Sequence, residues 1–274
     1  MSAREALKSH QRVVVKVGTT TLTYPNGRLN LRRIEEICTV LSDLCNQGKE
    51  MILVTSGAIA VGADRLGLTE RPRDVVGKQA ASAVGQAMLM QIYQRFFSRY
   101  NQEIAQILLT KDVIENEVSK QNARNTLKAL REMRVIPLVN ENDSVSTDEL
   151  GFSENDTLSA YVSILSDSEL LINLSDTDGM YDADPKQNPG AKVFREIPAI
   201  TREIEELAGG SSSKLGSGGM ISKITAAKLV TERGIDMVIA SGEDPAIIWR
   251  LLAGEPEGTL FIKKSGGNVW IPSN

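Results

Sequence analysis

The sequence predicts an α/β fold, a three-layer sandwich in which a mainly parallel central sheet carries helices on both faces. Three observations predict it. Short apolar runs of strand length recur along the chain, and they lack polar alternation, as strands buried on both faces do. Stretches of helical spacing lie between them, and such alternation of strand and helix builds parallel sheets. Several of the runs break directly into glycine, serine, asparagine or aspartate, and in such sheets ligands bind beyond the carboxyl ends of the strands.

Val13–Thr21 (VVVKVGTTT) opens the sheet and holds the most informative residue, Lys16. With a period of two, Lys16 faces the same side as Val14. A lysine there is costly to bury without an anion, although it could instead snorkel to water from a strand end. Gly18 and the hydroxyls Thr19, Thr20 and Thr21 follow, a composition suited to an anion cradle. Leu29–Gln47 has helical spacing and stops at Gly48. Glu50–Thr55 is a second strand, breaking into Ser56-Gly57, where Ser56 could simply cap the next helix. Val75–Tyr100 is a long, alanine-rich helix with apolar residues to spare, which suggests self-association. Glu103–Leu109 is a strand, Ser119–Glu132 a helix with Ser119 as its expected cap, and Val135–Val139 a strand ending at Asn140-Glu141-Asn142-Asp143. A polar hairpin over Ser144–Phe152, a helix over Ser153–Leu165 and a strand over Glu169–Leu174 complete this half.

Ser175–Gly190 is dominated by turn residues. Val193–Ile197, a short helix through Leu207 and a Ser/Gly loop over Gly209–Gly219 follow. Then come a helix (Met220–Arg233), a strand (Ile235–Ala240), a helix (Pro245–Ala253) and a last strand (Gly258–Ile262) before a polar tail from Lys263.

Composition narrows the function classes. The net charge of −4 lacks the basic footprint of a nucleic-acid binder. No apolar stretch could span a bilayer, and the N-terminus has no secretory h-region, so a cytoplasmic location is expected. Cys38 and Cys45 stand about 10 Å apart along one helix, too far for a disulfide. His10 is the sole histidine, which disfavours a histidine triad or a histidine-rich metal site.

The P-loop, dinucleotide-fold and protein-kinase motifs are absent. What remains is Gly216-Ser217-Gly218-Gly219-Met220-Ile221-Ser222-Lys223, a glycine loop entering a helix. The free N–H groups and dipole at that end favour a phosphate. Lys223 in a first turn is unfavourable unless an anion is present, the alternative being an ordinary surface lysine beside a linker. Asn140, Asn142 and Asp143 could be no more than turn residues, and Ser153-x-x-Asp156 no more than a capping box variant. Together they suit phosphoryl transfer, which needs positioning and charge neutralisation more than covalent help. Lys16 and Lys223 would draw on the phosphoryl oxygens, and Asp156 would hold both ammonium groups. A carboxylate acceptor is already ionised at neutral pH, so no general base is required.

At this point the chain resembles the amino-acid kinase family, in particular its glutamate-phosphorylating branch. The resemblance rests on VVKVGTTTL, LVTSGAIAVG, KQAASAVGQ, PLVNENDSV, FSENDTLSA, LINLSDTDGMYDADP and GSGGMISKITAAK, spread from Lys16 to about Phe261. It implies the amino-acid kinase fold, with an amino-acid-binding lobe over about 1–170 and a nucleotide-binding lobe over about 171–262, then a tail over 263–274. It implies ATP-dependent phosphorylation of the γ-carboxylate of L-glutamate, the first step of proline biosynthesis, by a phosphotransferase with a carboxyl group as acceptor. Lys16, Lys223 and Asp156 would be catalytic. Ser56, Gly57, Asp143 and Asn155 would contact glutamate, with Asp143 pairing its ammonium group. Lys16, Gly18, Ser175, Asp176 and the run Ser217, Gly218, Gly219, Met220, Ile221, Ser222 and Lys223 would bind ATP. Mg²⁺ would be held mainly by phosphate oxygens and water, and proline would be a feedback inhibitor if it occupies the glutamate pocket. Many bacterial members carry a C-terminal domain resembling RNA-modification modules; this chain ends soon after the kinase domain, which suggests a form without it. The rival readings are a kinase of the same fold for N-acetylglutamate, aspartate, carbamate or a nucleoside monophosphate, and a non-catalytic nucleotide sensor.

Overall fold

A computed structural model describes residues 2–146, 155–185, 187–210 and 219–264. The strands are β1 (Arg12–Val17), β2 (Glu50–Val54), β3 (Ile104–Leu109), β4 (Ile136–Glu141), β5 (Leu170–Ser175), β6 (Glu196–Ile197), β7 (Asp236–Ser241) and β8 (Thr259–Phe261). The helices are α1 (Ala3–Ala6), α2 (Thr19–Leu22), α3 (Leu31–Asn46), α4 (Ala58–Arg65), α5 (Val75–Phe97), α6 (Lys111–Glu115), α7 (Glu117–Glu132), α8 (Asn155–Leu165), α9 (Arg202–Gly210), α10 (Met220–Thr231) and α11 (Ile247–Leu252).

Among the described residues the strands form one eight-stranded sheet in the order β3-β4-β2-β1-β5-β7-β8-β6. Only the β7–β8 pairing is antiparallel. β1 is central, with Lys16 in register with Val54 of β2 and Asn173 of β5. Val13, Val15 and Val17 join one core with residues of α3, α4, α5 and α11. Val14 joins the other, with residues of α7, α8, α9 and α10. The two cores make the outer layers, as the unbroken apolar strands predict. Lys16, of the same parity as Val14, is thereby directed to the side of α8 and α10.

Several boundaries differ from the sequence reading. α7 begins at Glu117 because Asn116 caps it, its side-chain oxygen accepting from the Ser119 amide at 3.0 Å. Ser119 is therefore inside the helix rather than its cap. β4 runs on to Glu141, since Asn140 and Glu141 stay in register with Leu108 and Leu109 of β3. Ser56 is not the cap of α4 either: Gly57 takes that place at φ +93°, a backbone region that L side chains rarely adopt. After β4 the chain turns over Asn142–Ser146, both Val145 and Ser146 donating to the Asn142 carbonyl. The remainder of the expected hairpin, 147–152, lies outside the described residues, as do Ser153 and the tail from 265. Cys38 and Cys45 are free, and burial pushes the Cys45 thiol up to about 11.

The packing of α4 on α5 fixes the geometry of one half of the site. A Cβ on Gly62 would meet the Ala81 carbonyl oxygen at 1.7 Å, and one on Gly85 the Ala58 carbonyl at 1.8 Å. The two backbones therefore touch, which only glycine permits. Gly85→Ala should force the helices apart, destabilise the protein by about 3 kcal/mol, and be visible as a lowered urea midpoint with an unchanged slope.

Candidate active site

The carboxyl edge of the sheet gathers residues from distant parts of the chain. α8 starts beside the ends of β1, β2 and β4, and its first two residues serve two neighbouring clusters. Asp156, 1 % exposed, faces the ammonium groups. Its Oδ1 lies 2.6 Å from Lys16 Nζ and accepts from Asn173 Nδ2 at 2.8 Å. Its Oδ2 lies 3.3 Å from Lys223 Nζ and accepts from the Ser222 hydroxyl at 2.7 Å. Lys16 and Lys223, 207 positions apart in the chain, are 7 % and 5 % exposed. Burial alone would raise the Asp156 pKa, but the two ammonium groups and the hydrogen bonds outweigh it and hold the carboxyl below its usual range. Among the described residues two ammonium groups converge on one carboxylate, an arrangement that suits an incoming anion.

Three helix N-termini stand near those ammonium groups. Gly18, Gly57 and Gly219 occupy the N-cap positions of α2, α4 and α10, and none supplies a capping side chain. Their first N–H groups therefore lack the usual side-chain acceptor. A Cβ on Gly18 would lie 3.7 Å from Lys16 Nζ, and one on Gly57 the same distance from Thr19 Cγ2. Met220, Ile221, Ser222 and Lys223 form the first turn of α10. Ser217 and Gly218 fall outside the described residues. Ser175, buried, ends β5 and donates to Asp176 Oδ1 at 3.0 Å, with Asp176 exposed beyond it.

The second cluster begins at Asn155. Its Nδ2 reaches the Thr55 carbonyl at 2.8 Å, Ser56 Oγ at 2.7 Å and Asn140 Oδ1 at 3.1 Å. The structure thus brings Ser56 and Asn155 together, but spends the Asn155 donor group on the protein itself. Asp143, on the turn after β4, accepts from the Ser82 hydroxyl at 3.1 Å. Burial and the nearby Glu141 charge push its pKa up to about 6, against the Ser82 hydrogen bond. A carboxylate so placed has no cation among its causes of shift and would gain from one.

Three of these partners escaped the sequence reading, Ser82, Gln86 and Asn173; Asn140, expected to follow the strand, lies within it. Asn140 donates to Gln86 Oε1 at 2.9 Å. His10 sits at the opposite sheet edge, its Nε2 2.9 Å from Asp236. No group of His, Cys, Asp and Glu among the described residues is arranged to hold a metal, and no described helix is long and apolar enough to cross a membrane.

The same fold is found in known proteins. Solved UMP kinases share the fold: that of Bacillus anthracis at TM-score 0.62 and 18 % identity, covering 93 % of this chain and 97 % of the other. That of Ureaplasma parvum reaches 0.63 at 16 % identity, covering 93 % and 99 %. Sequence similarity goes further. A glutamate 5-kinase of Clostridium perfringens is 53 % identical over 267 residues, 96 % of this chain and 99 % of that protein. One from Listeria innocua is 49 % identical over 265 residues, covering 95 % and 96 %. The sequence pattern of the amino acid kinase family matches residues 11–241, a span that contains β1 through β7 and every described member of both clusters. The chain belongs to the amino acid kinase family.

Proposed function

We infer that this protein is a glutamate 5-kinase, transferring the γ-phosphoryl group of ATP to the γ-carboxylate of L-glutamate in the first step of proline biosynthesis. The observation that carries the chemistry is the Lys16–Asp156–Lys223 cluster, in which two buried ammonium groups from distant parts of the chain converge on one carboxylate. The choice of acceptor is supported by the end-to-end similarity to glutamate 5-kinases.

In this reading the nucleotide lies over β5 and the N-termini of α2 and α10, contacting Gly18, Ser175, Asp176 and the loop 217–223. Glutamate lies over β2 and β4, against Ser56, Gly57, Asp143 and Asn155. A γ-carboxylate oxygen attacks the γ-phosphorus, the bond from that phosphorus to the β–γ bridging oxygen breaks, and the electron pair leaves with ADP. The carboxylate needs no proton removed. Lys16 and Lys223 stabilise the charge on the transferring oxygens, and Asp156 holds both lysines without leaving its own oxygens for another cation. A Mg²⁺ ion fits as part of the nucleotide, held by phosphate oxygens and water, where it would neutralise charge between the β- and γ-phosphates.

Asp143 would receive the substrate ammonium group. That pairing favours the ionised carboxyl, so glutamate binding below about pH 6 must expel a proton. The apparent glutamate KM should rise as pH falls from 7 to 5. The same raised pKa makes the ligand-free protein lose stability as pH climbs from the ordinary carboxylate range through about 6, since the folded state then holds a proton the unfolded chain has shed. Asp143→Ala should raise the glutamate KM about 30-fold or more and flatten its pH dependence, leaving the KM for ATP nearly unchanged; KM measured at several pH values checks both. Proline, with the same ammonium and carboxylate pair, would compete for this pocket. The outward residues of α5, with Val76 72 % exposed, would bind a second copy, which light scattering tests.

Substrate profiling is the test. With Mg·ATP, ADP release should occur with L-glutamate and yield an acyl phosphate that hydroxylamine traps. Turnover of N-acetylglutamate, aspartate, carbamate or UMP in its place would overturn the assignment.

A further inference from the structure

Ser82 spends its hydroxyl hydrogen in a way unusual for a residue inside a helix. Such a hydroxyl ordinarily returns to the carbonyl four residues back. Thr39, Thr126, Ser163 and Thr225 do so here, at 2.8, 3.0, 2.8 and 2.9 Å. Ser82, 3 % exposed, instead donates across to Asp143 Oδ2 at 3.1 Å. The direction is fixed, because an ionised carboxylate can only accept.

That bond is separable from the scaffold that carries Asp143. The turn after β4 is held by its own backbone, with the Asn142 amide on the Leu109 carbonyl at 2.9 Å and the Val145 and Ser146 amides on the Asn142 carbonyl. The Ser146 hydroxyl reaches Glu141 at 3.0 Å. Gln79, one turn before Ser82 on the same face of α5, donates to the Ser146 carbonyl at 3.0 Å. Losing the Ser82 hydroxyl therefore leaves the turn in place and strips Asp143 of one donor. What remains around the carboxyl opposes its ionisation. Burial does so, and so does the charge of Glu141 on β4, while Gln79 of α5 and Asn142 and Ser144 of the turn are uncharged. Among the described residues, Ser82 is the group that favours the charged form. A substrate ammonium group pairs with that form, and the bond to Oδ2 leaves Oδ1 to meet it.

We propose that Ser82 is a positioning residue for the amino-acid acceptor: its hydroxyl, given to Oδ2, holds the Asp143 carboxyl ionised with Oδ1 available to the substrate ammonium group, and so sets the lowest pH at which the acceptor binds tightly. The inference rests on the glutamate reading above. Ser82→Ala should move the acid rise in the glutamate KM, expected near pH 6, up by about one pH unit, the effect of one hydrogen bond to a charged group. The variant's KM should then exceed that of the wild type about fivefold at pH 6 and by less than about twofold at pH 8. The effect should vanish with its target: Ser82→Ala added to Asp143→Ala should change the glutamate KM by less than about twofold at either pH. An acid rise that stays where it was overturns the proposal. So does a KM raised equally at both pH values, or a further loss on top of Asp143→Ala. A second arm needs no glutamate. The ligand-free protein loses stability as pH climbs through the range in which Asp143 ionises, and urea titrations should show that loss continuing about one unit higher in Ser82→Ala than in the wild type. Coincident profiles overturn the proposal as well. A wild-type enzyme that ignores glutamate while the two stability profiles separate would instead overturn the functional reading, and leave the hold of Ser82 on Asp143 standing.

Discussion

Replacing Lys223 by alanine is expected to lower kcat by about 10²–10³-fold while the glutamate KM moves by no more than about threefold. The separation follows from position. Lys223 lies in the first turn of α10 against Asp156, whereas the proposed glutamate contacts sit around Asn155, Ser56 and Asp143. Charge that develops on the transferring phosphoryl group is what the ammonium stabilises, so its removal costs rate before it costs acceptor binding. The fold should survive. Removing one lysine leaves Lys16 and Asp156 paired 2.6 Å apart, so the Asp156 carboxylate keeps a cationic partner. Thermal melting without nucleotide should therefore be near that of the wild type, while stabilisation by ATP shrinks because the anion has lost a partner. Steady-state kinetics with each substrate varied, together with melts with and without ATP, reads all three effects. A glutamate KM that rises as far as kcat falls would place Lys223 in the acceptor pocket instead.

Much of this arrangement was legible before any coordinates. The parity of Lys16 within a valine run set it on the Val14 face, which is the face of α8 and α10. The glycine loop ahead of Lys223 marked a helix start, and Met220 does begin α10. What stayed hidden depends on tertiary neighbours. Ser82 and Gln86 lie in a helix read for its apolar side, yet their four-residue spacing amid alanines was a visible sign of a polar stripe. Asn173 was a second such sign, a lone amide in the apolar run of β5, and it stands in register with Lys16. Which of two capable residues caps a helix was not legible. Asn116 prevails over Ser119 because starting earlier gives α7 additional helical residues. Nor was the fate of Asn155: spacing placed it beside Asp156, but only the meeting of β2, β4 and α8 shows its amide donor committed to protein acceptors.

Asp156→Ala should be the more damaging change, abolishing turnover and lowering the stability of the nucleotide-free protein by about 3–5 kcal/mol. Asp156 is the shared counter-charge, and without it two buried ammonium groups face each other with no carboxylate between them. The amide of Asn173 and the hydroxyl of Ser222 lose their acceptor as well. Two further readouts separate this cause from simple loss of packing. Because the Asp156 pKa is depressed in the folded state, its contribution is fully present above the unfolded value near 3.8 and is lost as pH falls through the lower folded value. The stability gap between wild type and variant should therefore be constant through neutral pH and close only in acid, whereas a packing defect would persist there. Nucleotide should also narrow the gap at pH 7, since its phosphates can supply the missing negative charge, and Mg·ATP should raise the variant's melting temperature more than that of the wild type. A gap that is indifferent to both acid and nucleotide would mean that Asp156 acts by shape, and the charge-balance account of the site would fail with it.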